Sequence, residues 1–252
     1  HILSQINSLK SEFKKLNLKY KMPSSKFIEK QLKEYEYADI IIVPSMFTKE
    51  SFISNGVKEN KIKVINLSSN TKIIKNYKFK NKDKTIFGFC GGALVRKGLI
   101  YLFEAWNKLK EDKNKELWLR CDIKNILAIP KLKTIYEKRK DIKIIKYSEN
   151  LNYFYSSLDM LIHPAVEEGF GMVVLESIKH GVPVAITNAV GAKDVLNNHD
   201  YVLLEKNNIS QSIFDLLNQD SSYFKAISKN INEEKYQDID KKMTFDFNEL
   251  YL

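Results

Sequence analysis

The apolar run Asp159-Met-Leu-Ile-His-Pro164 is followed, two residues later, by Glu167-Glu-Gly-Phe-Gly-Met-Val-Val-Leu-Glu176. A short run of consecutive apolar residues is typical of a strand that is buried on both faces of a sheet. Gly169 and Gly171 permit a tight turn, and from about Met172 the residues have the pattern of a helix. Strand, glycine loop and helix in this order predict one unit of a parallel α/β sheet.

The same alternation of β-rich runs and helical patterns extends over most of the chain. It predicts a doubly wound parallel sheet of the Rossmann-like type, in which ligands bind at the carboxyl ends of the strands. The chemistry is therefore expected after Cys90, Tyr147 and Pro164. Further strands are predicted at Asp39–Pro44, Lys61–Leu67, Thr85–Cys90, Glu116–Asp122, Ile142–Tyr147, Val182–Thr187 and Tyr201–Leu204. Helices are predicted between them, among others at Leu99–Leu109, Asn125–Arg139, Leu151–Leu158 and Ala192–Leu196.

The chain divides into four predicted segments. Residues 1–67 contain two predicted strands and a helical pattern before Ala38, which indicates the last part of an incomplete Rossmann-like domain. Residues 68–83 are polar and lysine-rich, as in a linker. Residues 84–228 form a second Rossmann-like domain, and 229–252 form a C-terminal helical segment. Because the chain begins at His1 within a stretch patterned like ordered sequence, we expect it to be a fragment of a longer protein.

The composition is typical of a soluble globular protein, with 44% hydrophobic and 29% charged residues among 252. No apolar run approaches the ~20 residues of a membrane span, and no signal peptide is recognisable, so a cytoplasmic location is expected. The net charge of +10 comes mainly from scattered lysines. It indicates a solvated surface or, alternatively, attraction to the anionic inner face of a membrane or to a phosphorylated substrate. No recognition motif supports nucleic-acid binding.

Metal-binding patterns are absent from the sequence. Cys90 and Cys121 lie inside apolar runs, where buried reduced thiols are expected. The four histidines and two cysteines do not have metal-ligand spacing, so no metal site is predicted. Asp238-Ile-Asp240 resembles an Asp-x-Asp metal motif, but it lies in a polar helical pattern and follows no strand.

The loop and helix after Pro164 carry the predicted chemistry. The helix start presents free backbone amides and the positive end of its dipole, which suit a phosphate. Glu168 on the loop and Glu176 about one turn into the helix can accept hydrogen bonds from hydroxyl groups. Glu167 is expected to be an exposed carboxylate. A phosphate site beside two carboxylates is the arrangement expected for binding a sugar nucleotide.

Glu168-x7-Glu176, with Gly169-Phe170-Gly171 inside it, resembles the signature of family 4 glycosyltransferases of the GT-B fold. The flanking segments Ser157–Pro164 and Ile178–Val184 are similar to the same family, and so are Tyr37–Ser45 and Lys61–Ile65 upstream. The resemblance covers the chain from about residue 34 to about residue 217. It implies that 1–67 belong to an acceptor domain, that 84–228 bind the sugar-nucleotide donor, and that 229–252 pack back toward the first domain.

The resemblance also implies roles for single residues. Glu176 would accept hydrogen bonds from the ribose, Glu168 would contact the transferred sugar, and the amides from Phe170 through Met172 to Val173 would hold the sugar and the diphosphate. Lys97 matches a family lysine that neutralises the diphosphate. The family arginine is replaced by Gly92, next to Gly91, and Arg96 is the candidate substitute. Tyr147 and Leu151 lie where a base could bind. His163 is expected to be a packed or capping residue, with a ligand role as the alternative.

The implied reaction is transfer of a sugar, with retention, from a nucleoside diphosphate sugar to an acceptor hydroxyl. UDP is the favoured nucleotide, and the acceptor would be a saccharide, a lipid-linked compound or a protein. No cofactor or metal is implied, attack from the front face is favoured, and the chain by itself is expected to be inactive. The alternatives are a sugar-nucleotide epimerase or a phosphorylase on the same architecture, and a noncatalytic sugar-nucleotide-binding subunit. A dinucleotide dehydrogenase is disfavoured, because Gly91-Gly92-x5-Gly98 is not Gly-x-Gly-x-x-Gly.

Overall fold

The computed structural model describes residues 1–69, 83–92, 95–147, 150–231 and 236. Its strands are β1 (Ile41–Val43), β2 (Ile62–Val64), β3 (Thr85–Cys90), β4 (Lys115–Arg120), β5 (Ile142–Ile144), β6 (Met160–His163), β7 (Val184–Thr187) and β8 (Tyr201–Leu204). Its α-helices are α1 (Ile2–Lys15), α2 (Ser25–Tyr37), α3 (Met46–Ile53), α4 (Leu99–Lys108), α5 (Ile123–Leu127), α6 (Pro130–Lys138), α7 (Leu151–Ser157), α8 (Met172–Lys179), α9 (Ile209–Leu217) and α10 (Ser221–Asn230).

The larger sheet has six parallel strands in the order β5-β4-β3-β6-β7-β8. The chain runs outward from β3 to β5, then returns to place β6 on the other side of β3 and continues to β8. The strand order therefore reverses between β3 and β6. In doubly wound sheets the ligand crevice lies at this reversal, outside the carboxyl ends of the two strands.

Both faces of this sheet are covered, which explains the continuous apolar strands. Phe87 and Phe89 of β3 pack in one core cluster with Trp106 of α4, whereas the alternate residue Ile86 packs in a second cluster with Leu175 of α8. Successive side chains of a strand point to opposite faces, so β3 contributes to both clusters. The predicted doubly wound parallel sheet is confirmed.

The first part of the chain forms a smaller parallel pair. Ile41 of β1 is paired with Ile62 of β2, and α3 connects the two strands. Ile41 and Val43 are buried, whereas Ile42 between them is exposed. The predicted division into segments at 67, 83 and 228 stays a prediction. Most of 68–83 and most of 229–252, including Asp238-Ile-Asp240, lie outside the described residues.

One predicted helix was wrong in its extent. The segment from Asn125 to Arg139 forms two helices, α5 and α6, and Pro130 is the first residue of the second. A proline disfavours helical backbone angles in the residue before it, and Ile129 is accordingly extended, with φ −107° and ψ 109°. The strand predicted to reach Leu67 also ends earlier, at Val64.

Candidate functional site

A cleft of about 320 Å³ lies at the carboxyl ends of β3 and β6. It contains most of the glycine loop and the start of α8, together with Lys97 from the loop after β3. The first part of the chain closes one side of it. The lining residues are Pro44, Leu67, Cys90, Gly91, Lys97, His163, Glu168, Phe170, Gly171, Met172 and Val173.

The start of α8 is open for a ligand. Gly171 is its N-cap residue and has φ 101°, a conformation that L side chains rarely adopt. No described residue accepts a hydrogen bond from the backbone amides of Phe170 through Val173. The first amides of a helix have no partner within the helix and carry its positive dipole end. The amides that the sequence predicts as an anion site therefore lie in the cleft without intramolecular partners among the described residues.

Lys97 is brought to the cleft by a close contact between two loops. It ends a 3₁₀ turn, Val95–Lys97, and the next residue is Gly98 with φ 68°. A Cβ at Gly98 would lie 1.9 Å from the carbonyl oxygen of Pro164, so only glycine permits this approach. Burial, and then the charge of Arg96, lowers the pKa of Lys97 to about 8. Its Nζ contacts Oε2 of Glu168.

Arg96 points toward Glu167 rather than lining the cleft. Its Nη1 donates a hydrogen bond to the carbonyl oxygen of Glu167 at 3.3 Å and lies 3.5 Å from that residue's Oε2. The same nitrogen is 3.8 Å from Oε1 of Glu168. The interpretation of Glu167 as an exposed carboxylate was wrong, because its side chain is only 14% exposed. Helix α1 packs over it, and Gln5 Nε2 donates to its Oε2 at 3.0 Å.

His163 and Glu168 face each other inside the cleft. The Glu168 side chain is 10% exposed and the His163 side chain 1%. His163 Nε2 lies 3.4 Å from Glu168 Oε2, yet neither ring nitrogen makes a hydrogen bond to a described residue. Burial, followed by the charges of Lys97 and Arg96, lowers the pKa of His163 to about 3. The ring is therefore neutral near pH 7.

Glu176 lies in α8 and is not among the residues that line the cleft. Its Oε2 accepts a hydrogen bond from the hydroxyl of Tyr155 at 2.6 Å. Nδ1 of His180 is 2.6 Å from the Glu176 carbonyl oxygen. Tyr155 also neighbours Cys90, and burial raises the pKa of the Cys90 thiol to about 11. Cys90 and Cys121 are buried free thiols, as predicted.

The predicted base-contacting residues lie at the carboxyl end of β5. Tyr147 is 57% exposed, and Leu151 is the first residue of α7. Arg120 at the end of β4 donates to the carbonyl oxygens of Lys146 and Tyr147 at 3.1 and 2.8 Å. Its guanidinium carbon lies 5.5 Å from the centre of the Tyr147 ring. Sequence reasoning missed Arg120, although its position at the end of a predicted strand was a signal.

The glycine loop is held by the first part of the chain. Ser45 Oγ and Thr48 Oγ1 both donate to the carbonyl oxygen of Gly169, at 2.6 and 3.2 Å. The Met46 amide donates to Asp194 Oδ2 at 2.5 Å. Ser45 ends the turn after β1 and is also the N-cap of α3, where its Oγ accepts from the Thr48 amide. Sequence reasoning missed these contacts, because they join residues 121 to 148 positions apart.

The described residues contain no group of three or more His, Cys, Asp or Glu side chains that could hold a metal ion. No helix in those ranges combines the length and the apolar character that crossing a bilayer requires.

Residues 70–234 match the family model described as "Glycosyl transferases group 1". The chain belongs to this family. A capsular polysaccharide biosynthesis glycosyltransferase of Staphylococcus aureus, CapM, is 26% identical over 201 residues, which are 73% of this chain and 53% of CapM. The O-antigen biosynthesis glycosyltransferase WclY of Escherichia coli is 27% identical over 56% of this chain and 38% of WclY. The chain thus spans about half, or less, of the length of these relatives.

Several solved structures share the fold of this chain. HepE of Anabaena, in a structure with UDP and glucose, has a TM-score of 0.71 at 18% identity, over 86% of this chain and 64% of HepE. Sucrose-phosphate synthase of Thermosynechococcus elongatus also has a TM-score of 0.71 at 18% identity, over 91% of this chain and 63% of the synthase. The predicted GT-B type of Rossmann-like fold is confirmed. The roles of single site residues stay predictions.

Proposed function

We propose that this group 1 family member is a retaining glycosyltransferase that uses a nucleoside diphosphate sugar, with UDP as the favoured nucleotide. The acceptor would be a hydroxyl group of a saccharide, a lipid-linked compound or a protein. One observation carries the proposal: Phe170 through Val173 and Lys97 line the same cleft, and the backbone amides of Phe170 through Val173 have no intramolecular partner among the described residues. Such a site suits a diphosphate.

The charge of the leaving group decides the chemistry of sugar transfer. As the bond from the anomeric carbon to the diphosphate breaks, the diphosphate keeps the electron pair and gains negative charge. Fixed amides and a cation that face this charge lower the barrier, because they need no reorganisation during the reaction. Lys97 and the α8 amides would act in this way without a divalent metal. Arg96, whose guanidinium lies on the Glu167 side, would contribute through its charge at longer range.

The two carboxylates would bind different parts of the donor. Glu168 lies in the cleft beside Lys97 and would accept hydrogen bonds from the transferred sugar. Glu176 would accept hydrogen bonds from the ribose, with its carboxylate oriented by the Tyr155 hydroxyl. The exposed ring of Tyr147 and the side chain of Leu151, at the start of α7, would contact the base. The structure of HepE with UDP-glucose supports UDP as the first nucleotide to test.

Retention of configuration would follow from attack on the face that the diphosphate leaves. The acceptor oxygen bonds to the anomeric carbon while the bond from that carbon to the diphosphate breaks. The hydroxyl proton passes to a phosphate oxygen. In this scheme the protein supplies binding and electrostatics, and no side chain forms a covalent bond to the sugar.

Titration calorimetry of this protein with UDP, GDP and ADP in the presence of a chelator tests the proposal. We expect saturable binding of at least one nucleotide, with UDP tightest, and an unchanged affinity when Mg²⁺ replaces the chelator. No binding of any of the three would contradict the donor site. Binding of a sugar nucleotide by a longer protein that includes a complete first domain, without sugar transfer to any acceptor, would favour the noncatalytic-subunit alternative. Turnover without an acceptor would favour an epimerase.

Peripheral association with an anionic membrane is a separate proposal, supported by the net charge of +10. It predicts that the protein sediments with vesicles containing phosphatidylglycerol at low salt and is released at high salt. Vesicles of phosphatidylcholine alone are the control. Equal sedimentation with both kinds of vesicle, or with neither, would contradict it.

A further inference from the structure

His163 is a buried polar residue for which the described residues provide no hydrogen-bond partner. It ends β6, its side chain is 1% exposed, and both ring nitrogens lack partners within the described chain. Its ring is stacked near Phe89, with the ring centroids 6.4 Å apart. Leaving a buried polar group unpaired is unfavourable, because the group loses its hydrogen bonds to water and gains none in the protein. Because His163 lines the cleft, a change in the cleft can supply the partner that it lacks.

Glu168 is the carboxylate nearest to this ring along the cleft. Its Oε2 contacts Nζ of Lys97 and lies 3.4 Å from Nε2 of His163, outside hydrogen-bonding geometry. The neutral imidazole has one N–H donor to offer. Glu168 therefore lies between a cation that an anionic ligand would attract and a neutral donor without a partner.

Building on the proposed donor site, on which this inference rests, we propose that His163 is a positioning residue for Glu168. When a diphosphate draws Lys97 away from Glu168, Nε2–H of His163 donates to the released carboxylate and holds it for the hydroxyls of the transferred sugar. In the unliganded protein, Glu168 occupies the place of the anion beside Lys97. In the liganded protein, Lys97 binds the diphosphate and the imidazole of His163 donates a hydrogen bond to Glu168.

The exchange avoids a buried carboxylate without a donor. The Glu168 side chain is 10% exposed, so losing Lys97 without compensation would leave it poorly solvated. A neutral donor suits this task better than a second cation, because it orients the carboxylate without neutralising it. Glu168 then keeps the charge with which it accepts hydrogen bonds from a sugar.

Nitrogen NMR of the protein labelled with ¹⁵N-histidine tests the exchange. The chain has four histidines, and His163→Gln assigns the signal of interest by its loss. We expect the Nε2–H resonance of His163 to move downfield when UDP is added to the wild type. The variant Lys97→Met, or Lys97→Gln if the first does not fold, should show that signal without nucleotide, because Glu168 is already released. The double change Lys97→Met with Glu168→Leu should abolish it.

These samples distinguish a failure of the His163–Glu168 pairing from a failure of the proposed donor site. If Lys97→Met gains the signal but UDP neither binds nor changes the wild-type spectrum, the donor site fails and the pairing of His163 with Glu168 stands. If UDP binds and the His163 nitrogens are the same in all samples, the inference is overturned. A UDP-dependent shift that persists in Glu168→Leu would also overturn it, because the ring would then contact the ligand itself.

Binding selectivity gives a second readout. His163→Leu should weaken the binding of UDP-glucose more than that of UDP. The affinity for UDP-glucose relative to that for UDP should fall about threefold to tenfold, as expected for one hydrogen bond. His163→Gln should restore part of this ratio, because its amide can donate to Glu168. Equal weakening of both ligands, or no rescue by glutamine, would indicate a purely structural histidine and contradict the inference.

Discussion

Nζ of Lys97 contacts Oε2 of Glu168 inside the cleft, although the two residues come from loops after different strands, β3 and β6. A cation and a carboxylate that are predicted to bind different parts of one ligand thus neutralise each other in its absence. Any anion that enters the cleft competes with Glu168 for Lys97. The two side chains should therefore respond to substitution in opposite directions.

Lys97→Ala should weaken UDP binding about tenfold to a hundredfold, the effect of losing one charge-assisted hydrogen bond. Calorimetry at low salt measures it. Lys229→Ala removes the same charge at an exposed position of α10 that does not line the cleft, and should leave the affinity unchanged. Wild-type affinity of Lys97→Ala would remove this lysine from the site.

Arg96→Ala should weaken UDP binding about twofold to fivefold, less than Lys97→Ala, because its guanidinium is engaged with Glu167, does not line the cleft and acts on the diphosphate only at longer range. The same titration gives the comparison. An effect as large as that of Lys97→Ala would mean that Arg96 turns into the cleft and replaces the family arginine directly.

Glu168→Gln should raise the affinity for UDP in the same titration, because it releases Lys97 from an ion pair whose two side chains are only 16% and 10% exposed. In a protein with a complete first domain it should at the same time lower sugar transfer. Weaker UDP binding by this variant would contradict competition between Glu168 and the diphosphate.

Glu176→Ala should weaken the binding of UDP about tenfold to a hundredfold, because the carboxylate that accepts hydrogen bonds from the ribose is lost. Tyr155→Phe should have a smaller effect in the same direction, since it removes the hydroxyl that orients Glu176. Glu137→Ala, on the exposed side of α6, is the matched control. Unchanged binding by Glu176→Ala would exclude it from the ribose site.

The affinity for UDP should fall as the pH rises through about 8, because Lys97, with its pKa lowered to about 8, loses its charge there. The affinity falls, and does not rise, because the protonated lysine is the form that attracts the diphosphate. A phosphate monoester is fully ionised above its second pKa of about 6, so it does not add to the change. Lys97→Arg should bind UDP equally at pH 7 and pH 9. A fall of the same size in this variant would assign the titration to another group.

The pair Ser45→Ala and Thr48→Val should lower the melting temperature and weaken UDP binding. It leaves the Gly169 carbonyl without two donors, each contributing about 0.5–1.5 kcal/mol. Thermal unfolding and calorimetry on one sample measure both effects. A lower melting temperature with full UDP affinity would show that this contact supports the fold and not the site.

Local pattern was enough to predict the central unit of the fold. The apolar run before Pro164, the glycine loop and the helix from Met172 are encoded within eighteen consecutive residues, 159–176, and the structure places them as predicted. The break in the helix at Pro130 was not predicted, although the sequence contained the signal for it, since the residue before a proline avoids helical angles. The contacts of Ser45 with Gly169 and of Gln5 with Glu167 were not, because nothing local specifies which distant surfaces meet. For the same reason Glu167 was expected to be exposed.

A crystal structure of the protein, from crystals soaked with UDP in the presence of a chelator, tests the donor site most directly. We expect a diphosphate within hydrogen-bonding distance of the amides from Phe170 to Val173, with Nζ of Lys97 moved from Glu168 to a phosphate oxygen. A diphosphate bound elsewhere, or bound in the cleft while Lys97 stays on Glu168, would contradict it.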